Sequence, residues 1–214
     1  NTTDTGGGLI SQAASGGWAI LIYGSTIYWQ SSYNATNLWN YSAATIINGK
    51  WHHLAFSRVS GSTKFFVDGA LASTNADTTN YAATTGNIVI GRDANPADLI
   101  GYISNMRVIK GTGLYTSAFT PPTAPLSAIA NTSLLTCMDN KFIDNSTNNL
   151  TLTNGTTTIK PLAVSPFTPT ANTGLSYSPS TLGGSMYFDG TGDYLSVVNN
   201  PIHASLGTAD FTLE

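Results

Sequence analysis

The sequence predicts an all-β protein, an antiparallel β-sandwich, and three observations point to that fold class. Residues that favour helices are scarce: glutamate occurs once, and no stretch repeats its apolar residues with helical spacing over three turns. Thr, Val, Ile, Tyr and Phe are frequent, and these residues favour strands. The abundant Asn, Gly and Ser favour the turns between strands. Short alternating segments separated by such turns are typical of a sandwich.

The first half of the chain alternates short strands with turns. In one predicted strand Ile27 and Trp29 share a face, because successive side chains of a strand point to opposite sides. An Asn-Gly pair at 48–49 predicts a tight turn before the next strand. The strands predicted here are 8–12, 18–23, 25–31, 37–42, 51–58, 64–67, 87–91 and 101–109.

The second half contains two proline-bearing stretches, 116–133 and 161–181, which we expect to be extended connections. The strands predicted around them are 133–138, 150–152, 185–188, 194–197 and 210–214. The last run alternates apolar and polar residues and stops without a turn residue, whereas residues 1–8 are loop-like. We therefore expect the chain to be an excerpt of a longer protein.

Composition narrows the function classes. Charged residues make up 9% of the 214 residues, against about 25% in an ordinary domain, and the net charge is −3. Such a chain releases few counterions from a phosphate backbone, which argues against nucleic-acid binding. The longest apolar run has the six residues 18–23, far short of a membrane helix. The single cysteine, Cys137, is expected to be a small buried hydrophobe.

Eight short motifs carry a resemblance to a known family. Those of the first half lie at 49–55 (GKWHHLA), 66–69 (FVDG), 88–91 (IVIG) and 101–107 (GYISNMR). Those of the second half lie at 133–135 (SLL), 144–146 (DNS), 188–195 (FDGTGDYL) and 210–214 (DFTLE). Together they resemble the laminin-G-like domains of the concanavalin A-like lectin/glucanase superfamily. The resemblance implies a jelly-roll sandwich.

The order of the motifs is reversed relative to that family. Residues 1–126 resemble the later strands of a laminin-G-like domain, and residues 127–214 resemble a connection and opening strands. Two arrangements are compatible with this order: one permuted sandwich, or parts of two consecutive repeats. The junction is similar to that between tandem repeats in tail-fibre and other surface proteins of marine phages. The resemblance therefore implies an extracellular or virion-surface location.

The superfamily includes glucan-cleaving enzymes, so hydrolysis is weighed first. Glycoside hydrolysis normally needs two carboxyl groups, one of them with a raised pKa. The Glu-x-Asp-x-Glu pattern of those relatives is absent, and the sole glutamate is Glu214. Asp93 and Asp98 form a conceivable pair, but both sit in turn-like sequence. We predict that the protein is not an enzyme and has no catalytic residues.

Calcium is the one cofactor that the resemblance implies. Asp189 and Asp193 offer two carboxylates on one short turn, whereas calcium takes six to eight oxygen ligands. The turn is not an EF-hand, since its twelfth position is Asn200. The alternative is a turn in which both Asp side chains bond their own backbone.

Sugar binding is the remaining chemistry, since glycans pair apolar faces with many hydroxyl groups. Aromatic residues cluster in the first strands, and polar residues follow a later one. The predicted ligand-binding residues are Tyr28, Trp29, Trp39, Tyr41, Arg92 and Asp93. The alternative places most of these rings in the core, where we also expect Trp18 and Trp51.

Two functions remain open for a non-catalytic sandwich. One is an adhesive module that binds a cell-surface glycan, as in receptor recognition by a tail fibre. The other is a structural spacer that contacts neighbouring repeats of the same protein and binds no ligand. The low charge suits both. The aromatic cluster favours recognition.

Overall fold

The computed structural model describes residues 6–12, 16–33, 39–81, 85–93, 97–156, 158–167, 178–198 and 205–214. It confirms the all-β prediction, and the helix it describes is a single turn, α1 (Pro179–Leu182). The first ten strands are β1 (Gly7–Gln12), β2 (Gly17–Tyr23), β3 (Thr26–Tyr33), β4 (Trp39–Thr45), β5 (Leu54–Val59), β6 (Ser62–Val67), β7 (Ala70–Ala76), β8 (Ile88–Ile90), β9 (Ile100–Ile103) and β10 (Met106–Lys110). The others are β11 (Thr132–Thr136), β12 (Leu152–Asn154), β13 (Lys160–Leu162), β14 (Ser185–Asp189), β15 (Leu195–Val197) and β16 (Phe211–Leu213).

The strands form three antiparallel sheets. The largest has the order β12-β15-β8-β1-β2-β3-β4, and the second has the order β11-β10-β16-β5-β6-β7. A smaller sheet has the order β13-β14-β9. The core combines buried side chains of all three sheets, so the two larger sheets pack face to face as a sandwich. Within it, Trp29 of the first sheet stacks on Phe56 of the second at 5.3 Å between ring centroids.

Both sequence segments contribute strands to the same sheets. The strand β16, from the second segment, lies between β5 and β10 of the first, and Leu213 pairs with Phe56 and Val108. In the largest sheet β15 pairs with β8 through Leu195 and Ile90. The inner positions of two sheets are therefore filled across the boundary between 1–126 and 127–214.

A buried arginine joins the two segments. Arg58 is 1% exposed and donates hydrogen bonds to the carbonyl oxygens of Thr79 (2.7 Å), Gly207 (2.8 Å) and Ala209 (2.6 Å). Its guanidinium carbon lies 4.7 Å from the ring centroid of Phe211. A buried cation is tolerated only where such partners replace water. The sequence that enters β16 is thus held by a side chain of β5.

Several strands differ from their predicted bounds. The predicted strand 101–109 is two strands, broken at Asn105, whose φ of 55° lies in the left-handed region and whose side chain accepts a hydrogen bond from Leu126 N. The predicted strand 51–58 begins three residues later, at Leu54. Two strands were not predicted: β7 is mostly exposed and, apart from Leu71, consists of small and polar residues, and β13 is a three-residue edge strand containing Pro161.

Candidate functional site

A pair of tyrosines lies on the outer face of the three-stranded sheet. Tyr102 of β9 is directly opposite Tyr187 of β14, and their ring centroids are 5.0 Å apart. Both are half-buried, whereas their chain neighbours Ile103 and Phe188 are buried. This alternation follows from the two-residue period of a strand, which turns one side chain in and the next out.

Trp51 extends this pair. Its ring is 37% exposed and lies 6.1 Å from the ring centroid of Tyr102. The prediction that Trp51 belongs to the core is wrong: because β5 begins only at Leu54, Trp51 precedes the paired part of the chain. We call Trp51, Tyr102 and Tyr187 the aromatic row. Tyr102 is its middle member, since it contacts both of the other rings.

The connection that carries Trp51 is held by an acid–histidine contact. His52 Nδ1 lies 2.7 Å from Asp68 Oδ2, and His53 N donates a hydrogen bond of 2.9 Å to Asp68 Oδ1. Asp68 occupies the turn after β6, with a φ of 51°. These bonds on both sides of one carboxylate fix the backbone next to Trp51. The backbone that carries the Trp51 ring is therefore held by contacts within the protein.

Two lysines and one acid accompany the row. Lys50 precedes Trp51, and Lys160 of β13 is directly opposite Tyr187, on the same face of the sheet. Both lysines are exposed. Asp189 lies two residues beyond Tyr187 on the same face of β14 and accepts a hydrogen bond of 2.9 Å from Thr191 N.

An apolar cavity of about 620 Å³ opens beside the row. Lys50, Trp51 and Tyr102 line it together with aliphatic side chains from both large sheets. These aliphatic residues include Ile10, Ile20 and Ile22 of the largest sheet and Val108 and Leu213 of the second.

A buried ion cluster also borders the cavity. Arg107 donates two hydrogen bonds to Glu214 Oε1, and Tyr115 Oη donates one of 2.6 Å to Oε2. His53 Nε2 lies 3.3 Å from the same carboxylate. Burial alone would raise the pKa of Glu214, but the contact with His53, the hydrogen bond from Tyr115 and the charge of Arg107 outweigh it and hold that pKa below its ordinary value. Glu214 is thus an ionised, paired carboxylate and not a proton donor.

Of the predicted ligand-binding residues, Trp29 is corrected. It is 1% exposed, stacks on Phe56 and Phe211, and donates its indole N–H to Tyr81 Oη at 3.2 Å. Trp29 is therefore a core residue, because the face of β3 that carries it points between the sheets. Trp18, stacked 6.0 Å from it, is buried as predicted.

Tyr28 and Asp93 meet at a third residue. Tyr28 is half-buried and contacts the ring of Tyr23, which is 40% exposed, at 5.8 Å between centroids. Burial raises the pKa of Tyr23, and the charge and hydrogen bond of Asp93 raise it further. Asp93 itself is 4% exposed, so it faces inward rather than into an open groove. Tyr28 stays a predicted ligand residue.

Arg92, Trp39 and Tyr41 complete the predicted set. The Arg92 guanidinium donates to Asp98 Oδ1 at 2.5 Å and lies 4.4 Å from the ring centroid of Tyr194. The Arg92 guanidinium therefore already has partners within the protein. Trp39 and Tyr41 belong to β4, but their side chains lie outside the described residues.

The predicted calcium ligands Asp189 and Asp193 accept hydrogen bonds that stabilise the turn on which they lie. Asp193 is fully buried; its Oδ1 accepts hydrogen bonds from Thr156 and Thr158, and its Oδ2 accepts one of 2.8 Å from Asp189 N. Burial favours a raised pKa for Asp193, but these bonds outweigh it and lower the pKa. No group of three or more acidic, histidine or cysteine side chains suited to a metal occurs among the described residues. The donor set does not fit calcium in this conformation; calcium binding stays a prediction that calorimetric titration can test.

The aromatic row could not be predicted from the sequence, because its members are far apart in the chain. Tyr102 and Tyr187 meet only through the pairing of β9 with β14. The motif at 101–107 indicated a strand but not which of its faces is outward. The alternation of Tyr102 with Ile103 was the one signal available.

Comparison with known proteins places the chain in a family. A laminin-G family model, described as concanavalin A-like lectin/glucanases superfamily, matches residues 1–112, just over half of the 214 residues. Searches of curated proteins and of solved structures returned no significant match. In the described part of the chain, no helix is long and apolar enough to cross a membrane. The fold and this match agree, and the chain belongs to the laminin-G-like family of the concanavalin A-like superfamily.

Proposed function

We propose that this domain is a non-catalytic carbohydrate-binding module that presents the aromatic row to a glycan on an extracellular or virion surface. Laminin-G-like domains are often carbohydrate-binding or adhesive, are typically non-catalytic and are commonly extracellular. The observation that carries the proposal is the row itself: three neighbouring rings, partly exposed, on one outer face.

Stacking on a sugar is the chemistry that such rings support. A pyranose has an apolar face that packs on an aromatic ring, while its hydroxyl groups need polar partners beside the ring. Lys50, Lys160 and Asp189 provide such partners along the row. The strand ladder and the contact of His52 with Asp68 hold the backbone that carries the rings, so little backbone freedom is lost on binding.

The carboxylates near the row support binding without hydrolysis. A glycosidase needs one protonated and one ionised carboxyl group on either side of the scissile bond. Asp68 binds His52 and the backbone of His53, and Glu214 is kept ionised by His53, Tyr115 and Arg107. The pKa of Glu214 is lowered, whereas a general acid needs a raised one.

The setting of the module is also proposed. We infer that segments 1–126 and 127–214 act as one permuted sandwich, which the pairing of β16 with β5 and β10 supports. In a tail-fibre-like protein, tandem copies of such a unit would repeat the row along the fibre. The runner-up function, a spacer without ligand, predicts that the row binds no glycan.

A glycan array followed by calorimetry tests the proposal. With the best-binding glycan, Trp51→Ala should weaken binding by about 30-fold, as expected for the loss of a tryptophan contact that dominates binding. The control is Leu71→Ala, which removes an exposed apolar side chain of β7, a strand outside both candidate sites. Tyr28→Ala tests the alternative site. Unchanged affinity in Trp51→Ala, or no binding to any glycan, would overturn the proposal.

A further inference from the structure

We propose that Asn48 is a site of spontaneous covalent modification, at which the folded protein loses the side-chain amide and gains a carboxylate. Asn48 precedes Gly49 and Asn154 precedes Gly155, and these are the two Asn-Gly pairs of the sequence. The first pair lies in an exposed turn, whereas the second is held by a strand and a ring. The inference concerns the chemical lifetime of the domain and does not depend on the proposed function.

The reaction needs an accessible main-chain nitrogen and no reagent except water. The nitrogen of Gly49 loses its proton to hydroxide and attacks Cγ of Asn48, the Cγ–Nδ2 bond breaks, and the nitrogen leaves as ammonia after taking up a proton from water. One water molecule then opens the five-membered imide. Addition at Cγ gives aspartate, and addition at the main-chain carbonyl carbon gives isoaspartate. Glycine favours the attack because no Cβ crowds its nitrogen.

The first pair has the exposure that this attack requires. Asn48 and Gly49 are exposed and form a turn between β4 and β5. Gly49 has a φ of 87°, in the left-handed region that favours glycine. In the part of the chain that the structure describes, the Gly49 N–H donates no backbone hydrogen bond. The nitrogen can therefore approach Cγ of Asn48 without the loss of a main-chain contact.

The second pair is held in place by the sheet. Asn154 is the last residue of β12 and is paired with Leu195. Gly155 N donates a hydrogen bond of 2.9 Å to the carbonyl oxygen of Tyr194, and Asn154 Oδ1 accepts one of 3.1 Å from Thr156 N. The Tyr194 ring packs so closely on Gly155 that an added Cβ would lie 2.2 Å from its Cζ. The same attack at Asn154 therefore requires local opening of the edge strand.

Modification of Asn48 changes the segment that carries Trp51. Ile47 N lies 3.2 Å from His52 Nε2, so this hydrogen bond closes a loop that contains Asn48. An isoaspartate adds one atom to the main chain inside this loop, and either product adds a negative charge two residues before Lys50. We expect the hydrogen bond between Ile47 and His52 to weaken and the backbone of Trp51 to shift.

The experiment follows both asparagines in the same purified protein. The protein is incubated in warm, mildly alkaline buffer and digested, and mass spectrometry quantifies aspartate and isoaspartate in each peptide. In the native protein Asn48 should convert at least about ten-fold faster than Asn154, because an opening step populated about one time in ten or less precedes the second reaction. In guanidinium chloride, where the chain is unfolded, the two should convert at similar rates.

The matched variant is Asn48→Gln, which lengthens the side chain and disfavours closure of the imide ring. It should abolish the fast conversion and leave the slow conversion of Asn154 unchanged. Equal rates at Asn48 and Asn154 in the native protein would overturn the inference. So would a preference for Asn48 that persists undiminished in guanidinium chloride, since it would then belong to the local sequence and not to the fold. Failure of every glycan to bind would leave these outcomes unaffected.

Discussion

Two side-chain clusters of this molecule, each containing aromatic rings and charged groups, differ in whether the charged groups have partners within the protein. The Arg58 cluster (Arg58, Asp77 and Tyr81) is buried, and its members bind one another: Tyr81 Oη donates to both oxygens of Asp77 at 3.0 Å. In the aromatic row, the rings are partly exposed and the flanking lysines form no ion pair among the described residues. Polar groups that already have partners within the protein stabilise the fold. Polar groups without such partners, next to exposed rings, are available to a ligand.

The sharpest test of this comparison replaces one tryptophan in each environment. Trp29→Ala removes a ring packed between the sheets and should lower the free energy of unfolding by about 3–5 kcal/mol. Trp51→Ala should lower it by less than about 1 kcal/mol, because its ring is already partly in water. Urea unfolding followed by circular dichroism measures both. Equal losses would contradict the assignment of Trp51 to the surface.

Arg58→Met tests the buried cluster itself. The change removes the hydrogen bonds to Gly207 and Ala209 and leaves Asp77 buried without its cation. We expect a loss of about 3–5 kcal/mol in the free energy of unfolding. Lys141→Met, on an exposed lysine, should change it by less than about 0.5 kcal/mol. A comparable effect of the two would mean that Arg58 does not join the segments.

Tyr81→Phe changes one hydroxyl group in the same cluster. It leaves the indole N–H of Trp29 without its acceptor and takes one donor from Asp77. The expected cost is about 1–3 kcal/mol, the penalty for unsatisfied buried polar groups. Tyr102→Phe in the aromatic row is the matched control and should be neutral within about 0.5 kcal/mol. Thermal unfolding measures the stability of both variants, and equal destabilisation of the two would contradict the role of the Tyr81 hydroxyl group.

The smallest effect expected is a pH dependence carried by Glu214. Its pKa is lowered in the folded state, so it contributes stability above its ordinary pKa of 4.5, and this contribution is lost as the pH falls through the folded-state pKa. Glu214→Gln should therefore be less stable than the natural chain at neutral pH, and the gap should shrink below pH 4.5. Asp193 titrates in the same direction in both proteins and cancels in the difference. A gap independent of pH would contradict the ionised state of Glu214.

The sequence predicted the fold better than the site, and the reason is physical. Strands such as β2 and β8 carry strong local signals in their branched apolar residues. Burial of Trp29 and exposure of Trp51 depend on which face of β3 turns inward and on where β5 begins. Both are settled by packing between distant parts of the chain, so local pattern could not distinguish the two tryptophans.

Placement of β16 between β5 and β10 has a consequence for how the polypeptide acquires its shape. On the ribosome, β5 and β10 emerge long before residues 211–213. Until β16 is synthesised, the backbone groups that will pair with it remain unpaired. Such non-local closure implies high contact order and slow folding. Substitutions that weaken the insertion of β16 should therefore show first as aggregation during synthesis, before any loss is measurable in the purified native protein.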